Sequence, residues 1–323
     1  MNRTDPACLP WADDTIPLML APMQGVTNRA LRTLFVDWVQ PDTVFTEFVR
    51  VNRNTRRRLS KSDQLEVSSE QNGTPLIVQL IGHDEEALVA AALAAGDAGV
   101  VHLNLNMGCP FGRMSSGLTG GGMLKAPERL PGILESLRRA FPGTFSVKMR
   151  AGYDDPDQVL DLLPLLCGSG IDFLILHPRT VVQKYSGTAD HAVTARVVEK
   201  ASVPVIANGD ICTASSGHLI LEQTGAAGLM LGRGAIADPM IFKRLRGEAS
   251  LDPSPGQRAA EVHFYLSRLL DGYEELFCGE RQVLSKVKEV LAFIADPHLL
   301  PVVKKLRRSK SFDAFREGLH ELA

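Results

Sequence analysis

The stretch Val101-His-Leu-Asn-Leu-Asn-Met-Gly-Cys-Pro110 decides how this chain is read. It has the character of a buried apolar strand that ends in a polar tip. Asn104, Asn106 and Cys109 mark the tip, and a Gly-rich loop follows through Gly122. A thiol at the end of a parallel strand stands where an α/β barrel places its chemistry. The plain alternative is a structural thiol, since free Cys is among the most buried residue types. Gly108 and Pro110 argue against that, because they pin Cys109 at a backbone turn rather than inside a strand.

Working outward, seven more β-type runs recur at 18–21, 43–48, 76–80, 145–149, 173–177, 203–207 and 228–231, with the quoted run (100–105) fourth in order. Most are near-continuously apolar, as strands covered on both faces must be. Amphipathic stretches lie between them, at 28–38, 84–98, 127–140, 157–167, 191–200, 214–223 and 235–245. Several open with Asp, Asn, Pro or Thr and close near Gly, which are helix start and stop signals. Eight β/α alternations in about 230 residues predict an α/β fold of the (β/α)8 TIM-barrel type, and their even spacing favours closure over a doubly wound sheet. After Gly247 the pattern changes. Leu251-Asp-Pro-Ser-Pro-Gly256 reads as a linker, and 259–273, 282–295 and 311–321 read as helices, with breaks at Asp296-Pro297 and Leu300-Pro301. The expected organisation is a barrel over 1–247 and a small all-helical domain over 248–323, a size that needs docking or a good core.

Bulk properties exclude several classes. The chain has 323 residues, 45% apolar and 22% charged, and a net charge of −2, ordinary for a globular protein. No apolar run reaches the roughly 18 residues of a membrane span, and the first residues lack the apolar core of a secretory signal. The five cysteines, at 8, 109, 167, 212 and 278, are odd in number, widely spaced and without C-x-x-C. They signal neither a disulfide framework nor a zinc site, and a reducing cytoplasm fits them. Two cationic runs depart from the near-neutral balance: 50–58 (RVNRNTRRR) and 304–310 (KKLRRSK). A single charge run is usually a solvated face. Two, both with arginines, point to a phosphate-backbone partner.

In a barrel the loops after the strands' C-terminal ends build the site. Those ends carry Lys148 and Arg150, which share a face by the period of two, then His177 and Arg179, Asn208-Gly-Asp210, and Gly232-Arg-Gly234. The last two are short Gly turns opening helices at the seventh and eighth strands, where barrels bind phosphate on backbone N–H groups; Arg233 adds a cation. Lys148 inside an apolar strand is costly unless paired. A structural ion pair is one answer. Placement of Lys148 and His177 beside an electron-rich ring edge, such as the N1–C2=O of a flavin, is the other. His83, His102, His177 and His191 lack metal-ligand spacing, so no metal is expected. No Ser-His-Asp signature or Walker loop occurs. Gly117-Leu-Thr-Gly-Gly-Gly122 reads as a flexible loop carrying Cys109 over the site.

Taken together, Ala21-Pro-Met23, Asn106-Met-Gly-Cys-Pro110, Ser146-Val-Lys-Met-Arg150, His177-Pro-Arg-Thr180, Asn208-Gly-Asp210 and Gly232-Arg-Gly234 resemble the tRNA-dihydrouridine synthases, in order and over almost the whole chain. Thr46-Glu-Phe-Val-Arg-Val51 resembles the bacterial C-type branch, which modifies U16 of the D-loop. The resemblance implies an FMN barrel with a helical tRNA-binding domain, NADPH as reductant, hydride transfer to C6 of a flipped-out uracil, and Cys109 giving a proton to C5. It implies flavin contacts from Ala21, Pro22, Met23, Gln79, Lys148, His177, Asn208, Gly209, Asp210, Gly232 and Arg233. It assigns Asn106 to the target nucleotide, and Arg50, Arg179, Lys286 and Lys288 to tRNA. The expected protein is a cytoplasmic monomer whose partner is tRNA. Two other readings stay open at this point: a flavin dehydrogenase acting on a small pyrimidine or similar substrate, and a non-catalytic RNA-binding barrel.

Overall fold

A computed structural model describes residues 9–51, 59–67, 72–111 and 117–322. Cys8 and most of the first cationic run, 52–58, lie outside the described residues. Strands β1 (Leu18–Leu20), β2 (Thr43–Phe45), β3 (Val49–Arg50), β4 (Leu76–Ile81), β5 (His102–Met107), β6 (Thr144–Arg150), β7 (Phe173–His177), β8 (Val205–Asn208) and β9 (Gly228–Leu231) form one sheet. Every pairing is parallel. The sheet closes because β1 pairs with both β2 and β9, and β2 pairs onward with β4. Eight strands make the ring, and β3 extends the tip of β4, with Val49 opposite Leu80. This is a (β/α)8 barrel.

The barrel interior is layered. Met19, Phe45, Ile77, Phe173, Ile175, Ile206 and Met230 form an apolar plug, and Trp11 meets Phe173 edge-on at 4.9 Å to close the lower end. Side chains from alternate strands fill such a core rather than leaving a pore. Above the plug comes a polar layer. Gln79, Asn104 and Ser146 sit in register on β4, β5 and β6. Gln79 Nε2 donates to Asn104 Oδ1 and Asn104 Nδ2 to Ser146 Oγ, each at 2.8 Å. Buried amides are tolerated when their donors and acceptors are matched in this way.

Local signals fix most helices. Asn28 caps Arg29–Trp38 through Leu31 N–H, Asp84 caps Glu85–Asp97, and Thr213 with Ser216, then Ser254 with Gln257, form capping boxes for Ala214–Thr224 and Pro255–Leu276, as the N-terminal donors of a helix require. Four expectations are corrected. The helix expected over 235–245 is two, Arg233–Ala237 and Ile241–Leu245, split at Asp238-Pro239 because proline lacks the N–H and crowds the preceding turn. The break expected at Leu300-Pro301 is instead the start of Leu300–Arg308; in the first turn a missing N–H costs nothing. The strand expected over 43–48 stops at Phe45 and resumes as β3. The loop expected to be flexible contains a 3₁₀ helix, Gly120–Lys125, buried from Gly120 to Leu124.

The helices after Ser254 do not form a separate core. Val262, Tyr265, Leu266 and Leu269 share one apolar cluster with Phe35 and Val36 of Arg29–Trp38 and with Phe242. A charged latch reinforces the junction. Arg244 pairs with Asp238 at 2.8 Å and Glu261 at 2.6 Å, and Arg258 pairs with Asp238, Glu261 and Asp296 at 3.0, 3.2 and 3.7 Å. Among the described residues no helix is long and apolar enough to cross a membrane.

Candidate active site

The strand tips enclose a cavity of about 380 Å³ at the C-terminal mouth of the barrel, within the range of small-molecule sites. Ala21, Pro22, Met23, Asn106, Cys109, Lys148, His177, Asn208, Gly209, Asp210, Gly232 and Arg233 all line it. The thiol and the two Gly turns therefore face one space.

The Cys109 turn is built from below. Asn106 Oδ1 accepts the N–H groups of Gly108 and Cys109, both at 3.0 Å, while its Nδ2 donates to Gln79 Oε1 at 2.8 Å. The thiol's height above the polar layer is thus set by one side chain. From above, Gly121 N–H donates to the Cys109 carbonyl at 3.1 Å, and Arg150 Nε donates to the Gly108 carbonyl at 3.0 Å. Gly121 is required here, because a Cβ would fall 2.6 Å from Val181 Cγ2. Gln79 was expected at the flavin. It lies beneath the wall, fully buried, with its amide engaged by Asn104 and Asn106.

Electrostatics in the cavity is cationic. Lys148 Nζ donates to Asn208 Oδ1 at 2.8 Å, and Asn208 Nδ2 is fixed in turn by the Met230 carbonyl. Burial, then the neighbouring Arg150, push the Lys148 ammonium down to about 7, against an opposing pull from Cys109. His177 is held far below its ordinary value by burial first, then by Lys148, Arg150, Arg179 and Arg233, so its imidazole is neutral. Burial also lowers Arg150 to about 10. Asp210 sits in a left-handed conformation with φ of 52°. Burial pushes its carboxyl up, but bonds from Arg179 and the Ala189 N–H, with the charges of Arg179 and Arg233, hold it below the ordinary range. Gly209 has φ of 118°, and a Cβ there would strike His177 Cδ2 at 2.8 Å.

Four residues expected on RNA have different surroundings. Arg179 is 2% exposed and gives its N–H groups to Ser186, His177, Gly187 and Asp210. Lys286 Nζ donates to the Gly25 carbonyl at 3.1 Å and to both oxygens of Glu289, tying a tail helix to the loop after β1. Lys288 donates to the Ser309 carbonyl. Arg50 is exposed on β3.

The wall also holds aromatic residues that the sequence reading missed: Phe48, Phe111, Tyr185 and Phe293. Tyr185 and Phe111 lie 5.5 Å apart by ring centroids, and Arg233 stacks over Tyr185 at 4.5 Å. An aromatic residue between Lys184 and Ser186, in the loop after β7, was a usable signal for Tyr185. Phe293 comes from the tail, and nothing local marks it. The cavity suits a flavin: the Lys148 ammonium deep in it would meet a ring edge that gains negative charge on reduction, and Gly turns with Arg233 at the β8 and β9 tips suit a phosphate. Among the described residues no group of three His, Cys, Asp or Glu is placed to hold a metal.

Comparison with known proteins agrees with this geometry. The family model described as dihydrouridine synthase matches residues 19–311. The chain is 34% identical over 263 residues to a tRNA-dihydrouridine(16) synthase of Cupriavidus necator, covering 78% of this chain and 81% of that one. It is 32% identical over 304 residues to one from Aquipseudomonas alcaligenes, covering 91% and 95%. A solved structure of a morphinone reductase variant in complex with tetrahydroNAD superposes with a TM-score of 0.51 at 12% identity, over 75% of this chain and 89% of that one; this likeness concerns the fold alone. The chain belongs to the dihydrouridine synthase family, and with it to the flavin-dependent oxidoreductases.

Proposed function

We propose that this protein is a tRNA-dihydrouridine synthase that saturates the C5–C6 bond of a D-loop uridine, U16, using FMN reduced by NADPH. The observation that carries the reading is the shared wall: Cys109, Lys148, His177 and the two Gly turns line one cavity. The position-16 assignment is supported by the relatives from Cupriavidus necator and Aquipseudomonas alcaligenes, both tRNA-dihydrouridine(16) synthases.

Bound FMN would supply the hydride that reaches C6 of the uracil. The chain's own residues do the rest. Lys148, anchored by Asn208, places a cation where negative charge collects on a ring edge. Gly209, Gly232 and Arg233 form the phosphate end. Ala21, Pro22 and Met23 supply apolar wall against a planar ring. Cys109 delivers a proton to C5, so that hydride and proton together balance the saturated bond. General acids work from short, oriented contacts, and Asn106 and Gly121 fix the turn that sets this one. Asn106 keeps one amide N–H for the target base. Phe111 and Tyr185 at the rim suit a base drawn out of its stack. Arg50 and the exposed cations of 304–310 would meet the RNA backbone, with the helices after residue 247 acting as the RNA-binding part. The described cysteines are unpaired thiols, which suits the cytoplasm, where its RNA substrate lies.

The test is a strain lacking this protein. Loss of dihydrouridine at position 16 of its tRNA, restored by the wild-type chain and not by Cys109→Ala, supports the reading. Unchanged dihydrouridine at that position overturns it.

A further inference from the structure

Arg179 follows β7 by two residues and is the most completely engaged polar side chain at the site. Its Nε donates to the Ser186 carbonyl at 3.2 Å. Its Nη1 donates to Asp210 Oδ1 at 2.9 Å and lies 3.2 Å from His177 Nε2. Its Nη2 donates to the Gly187 carbonyl and to Asp210 Oδ2, both at 2.6 Å. A guanidinium has five N–H donors, no acceptor, and does not deprotonate in proteins. His177 Nε2 is therefore the acceptor in that contact, and the neutral ring must carry its proton on Nδ1. The Cδ2–Nε2 edge of the ring also lies against Gly209. Nδ1 is on the opposite edge, has no hydrogen-bond partner among the described residues, and belongs to a residue lining the cavity.

The same guanidinium sets two further features. It grips both oxygens of Asp210, a residue in a left-handed conformation next to the proposed phosphate turn. It also holds the 186–187 carbonyls, which follow the Tyr185 rim residue. We propose that Arg179 is a positioning residue of the flavin cavity: it fixes His177 as the Nδ1–H tautomer, so that the ring offers the bound ligand a donor and no acceptor, and it keeps the Asp210 carboxylate paired beside the phosphate turn. The ligand's identity rests on the flavin reading above; the tautomer does not.

The charged groups that face His177 are Lys148 and Arg150 from β6, Arg179 from its own segment and Arg233 after β9. Asp210 is held by the same Arg179 guanidinium that meets the ring, and the ring of Tyr185 lies 6.4 Å away. With cations on three sides and one of them donating into Nε2, neither a second proton nor the other tautomer is accommodated. Without Arg179, Nε2 becomes free to bind a proton and Asp210 loses its main counter-charge.

The experiment is ¹H–¹⁵N correlation spectroscopy of the full chain labelled at histidine nitrogens, with the His177 signals assigned by their absence in His177→Gln. In the wild type, His177 is expected as the Nδ1–H tautomer with no titration between about pH 5.5 and 8, the window in which an ordinary histidine titrates. In Arg179→Met it is expected to titrate in that window or to show mixed tautomers, and FMN affinity is expected to fall about tenfold, the equivalent of one lost charge-assisted contact. Arg179→Lys keeps the charge without the fork and is expected to show mixed tautomers too, which provides a second variant where the first does not fold. A wild-type His177 that is protonated on Nε2 or titrates normally overturns the proposal. So does an unchanged tautomer and pH response in a folded Arg179 variant. Wild-type protein that shows the Nδ1–H tautomer yet binds no FMN would count against the flavin reading alone.

Discussion

Cys109 tests whether the cavity does the assigned chemistry, because one atom can be removed without disturbing its surroundings. The turn that carries it is held by backbone bonds to Asn106 and Gly121, so Cys109→Ala should leave the fold and the cavity walls intact. Flavin content and NADPH-driven flavin reduction should be unchanged. Dihydrouridine formation in a single turnover should fall roughly 10²- to 10⁴-fold, the range typical of a lost general acid. Full activity would mean that the proton comes from elsewhere. Lys148 makes a different prediction, because its cost and its use are separable. The folded protein releases its proton near pH 7, whereas an unfolded chain holds it to about pH 10.4. Between those values the folded state binds fewer protons, so the stability of the flavin-free protein rises with pH across that window. Below pH 7 the full desolvation cost is present. A ring edge that accepts hydrogen bonds favours the ammonium, and the anionic edge of reduced flavin favours it more, so FMN binding takes up a proton above pH 7, and affinity falls as pH rises there. Lys148→Met should remove both dependences. It should stabilise the flavin-free protein at pH 7, because no charge is left to desolvate, while weakening FMN binding, as read by thermal melting and flavin titration. Destabilisation together with unchanged FMN affinity would show that the lysine is structural.

At the scale of elements, the contact between β5 and the 3₁₀ helix Gly120–Lys125 sets the thiol's place. Gly121→Ala would put a Cβ 3.0 Å from the Cys109 carbonyl and 2.6 Å from Val181 Cγ2, so the turn must shift. The expected result is a loss of turnover of about tenfold or more with flavin binding preserved, since misplacing a reacting group by about 1 Å costs on the order of 10²-fold. Loss of flavin with turnover per flavin unchanged would count against this role. The latch at the barrel–tail junction predicts a stability effect instead. Arg244→Met leaves Asp238 and Glu261 short of a counter-charge, which for buried pairs costs about 3–5 kcal/mol; a melting temperature equal to the wild type's would refute the latch. These elements also show what the sequence could reveal. The period-two strands, caps such as Asn28 and Asp84, and the Gly turns at 208–210 and 232–234 act through neighbours in the chain, so the barrel and most of its wall were readable. The fate of Gln79, Arg179, Lys286 and Lys288 depends on partners 21 or more residues away. Their chemistry was visible in the sequence; their occupancy was not. Pro301 misled because the same residue ends one helix and starts another, and only packing shows which.

For the whole molecule, the net charge of −2 means that a polyanion is not drawn in by bulk attraction. Binding has to come from local patches. The helix Leu300–Arg308 buries Val303 and Leu306 and exposes Lys304, Lys305, Arg307 and Arg308, with Lys310 just beyond. Lys305 is already paired with Glu321, which leaves Lys304, Arg307, Arg308 and Lys310 as the cations most available to phosphate. If this face meets the tRNA backbone, each contact releases counterions, and log K falls with log salt by about 0.7–0.9 per phosphate neutralised. Replacing Lys304, Arg307 and Arg308 together with Gln should then flatten that slope by about 2–3 and weaken tRNA binding at low salt far more than at high salt. Flavin content should not change, because none of the three lines the cavity. The slope discriminates where affinity alone does not: a variant that bound less tightly at every salt concentration, with the wild-type slope, would have lost shape rather than phosphate contacts. The backbone surface would then have to be sought on the barrel side, around Arg50.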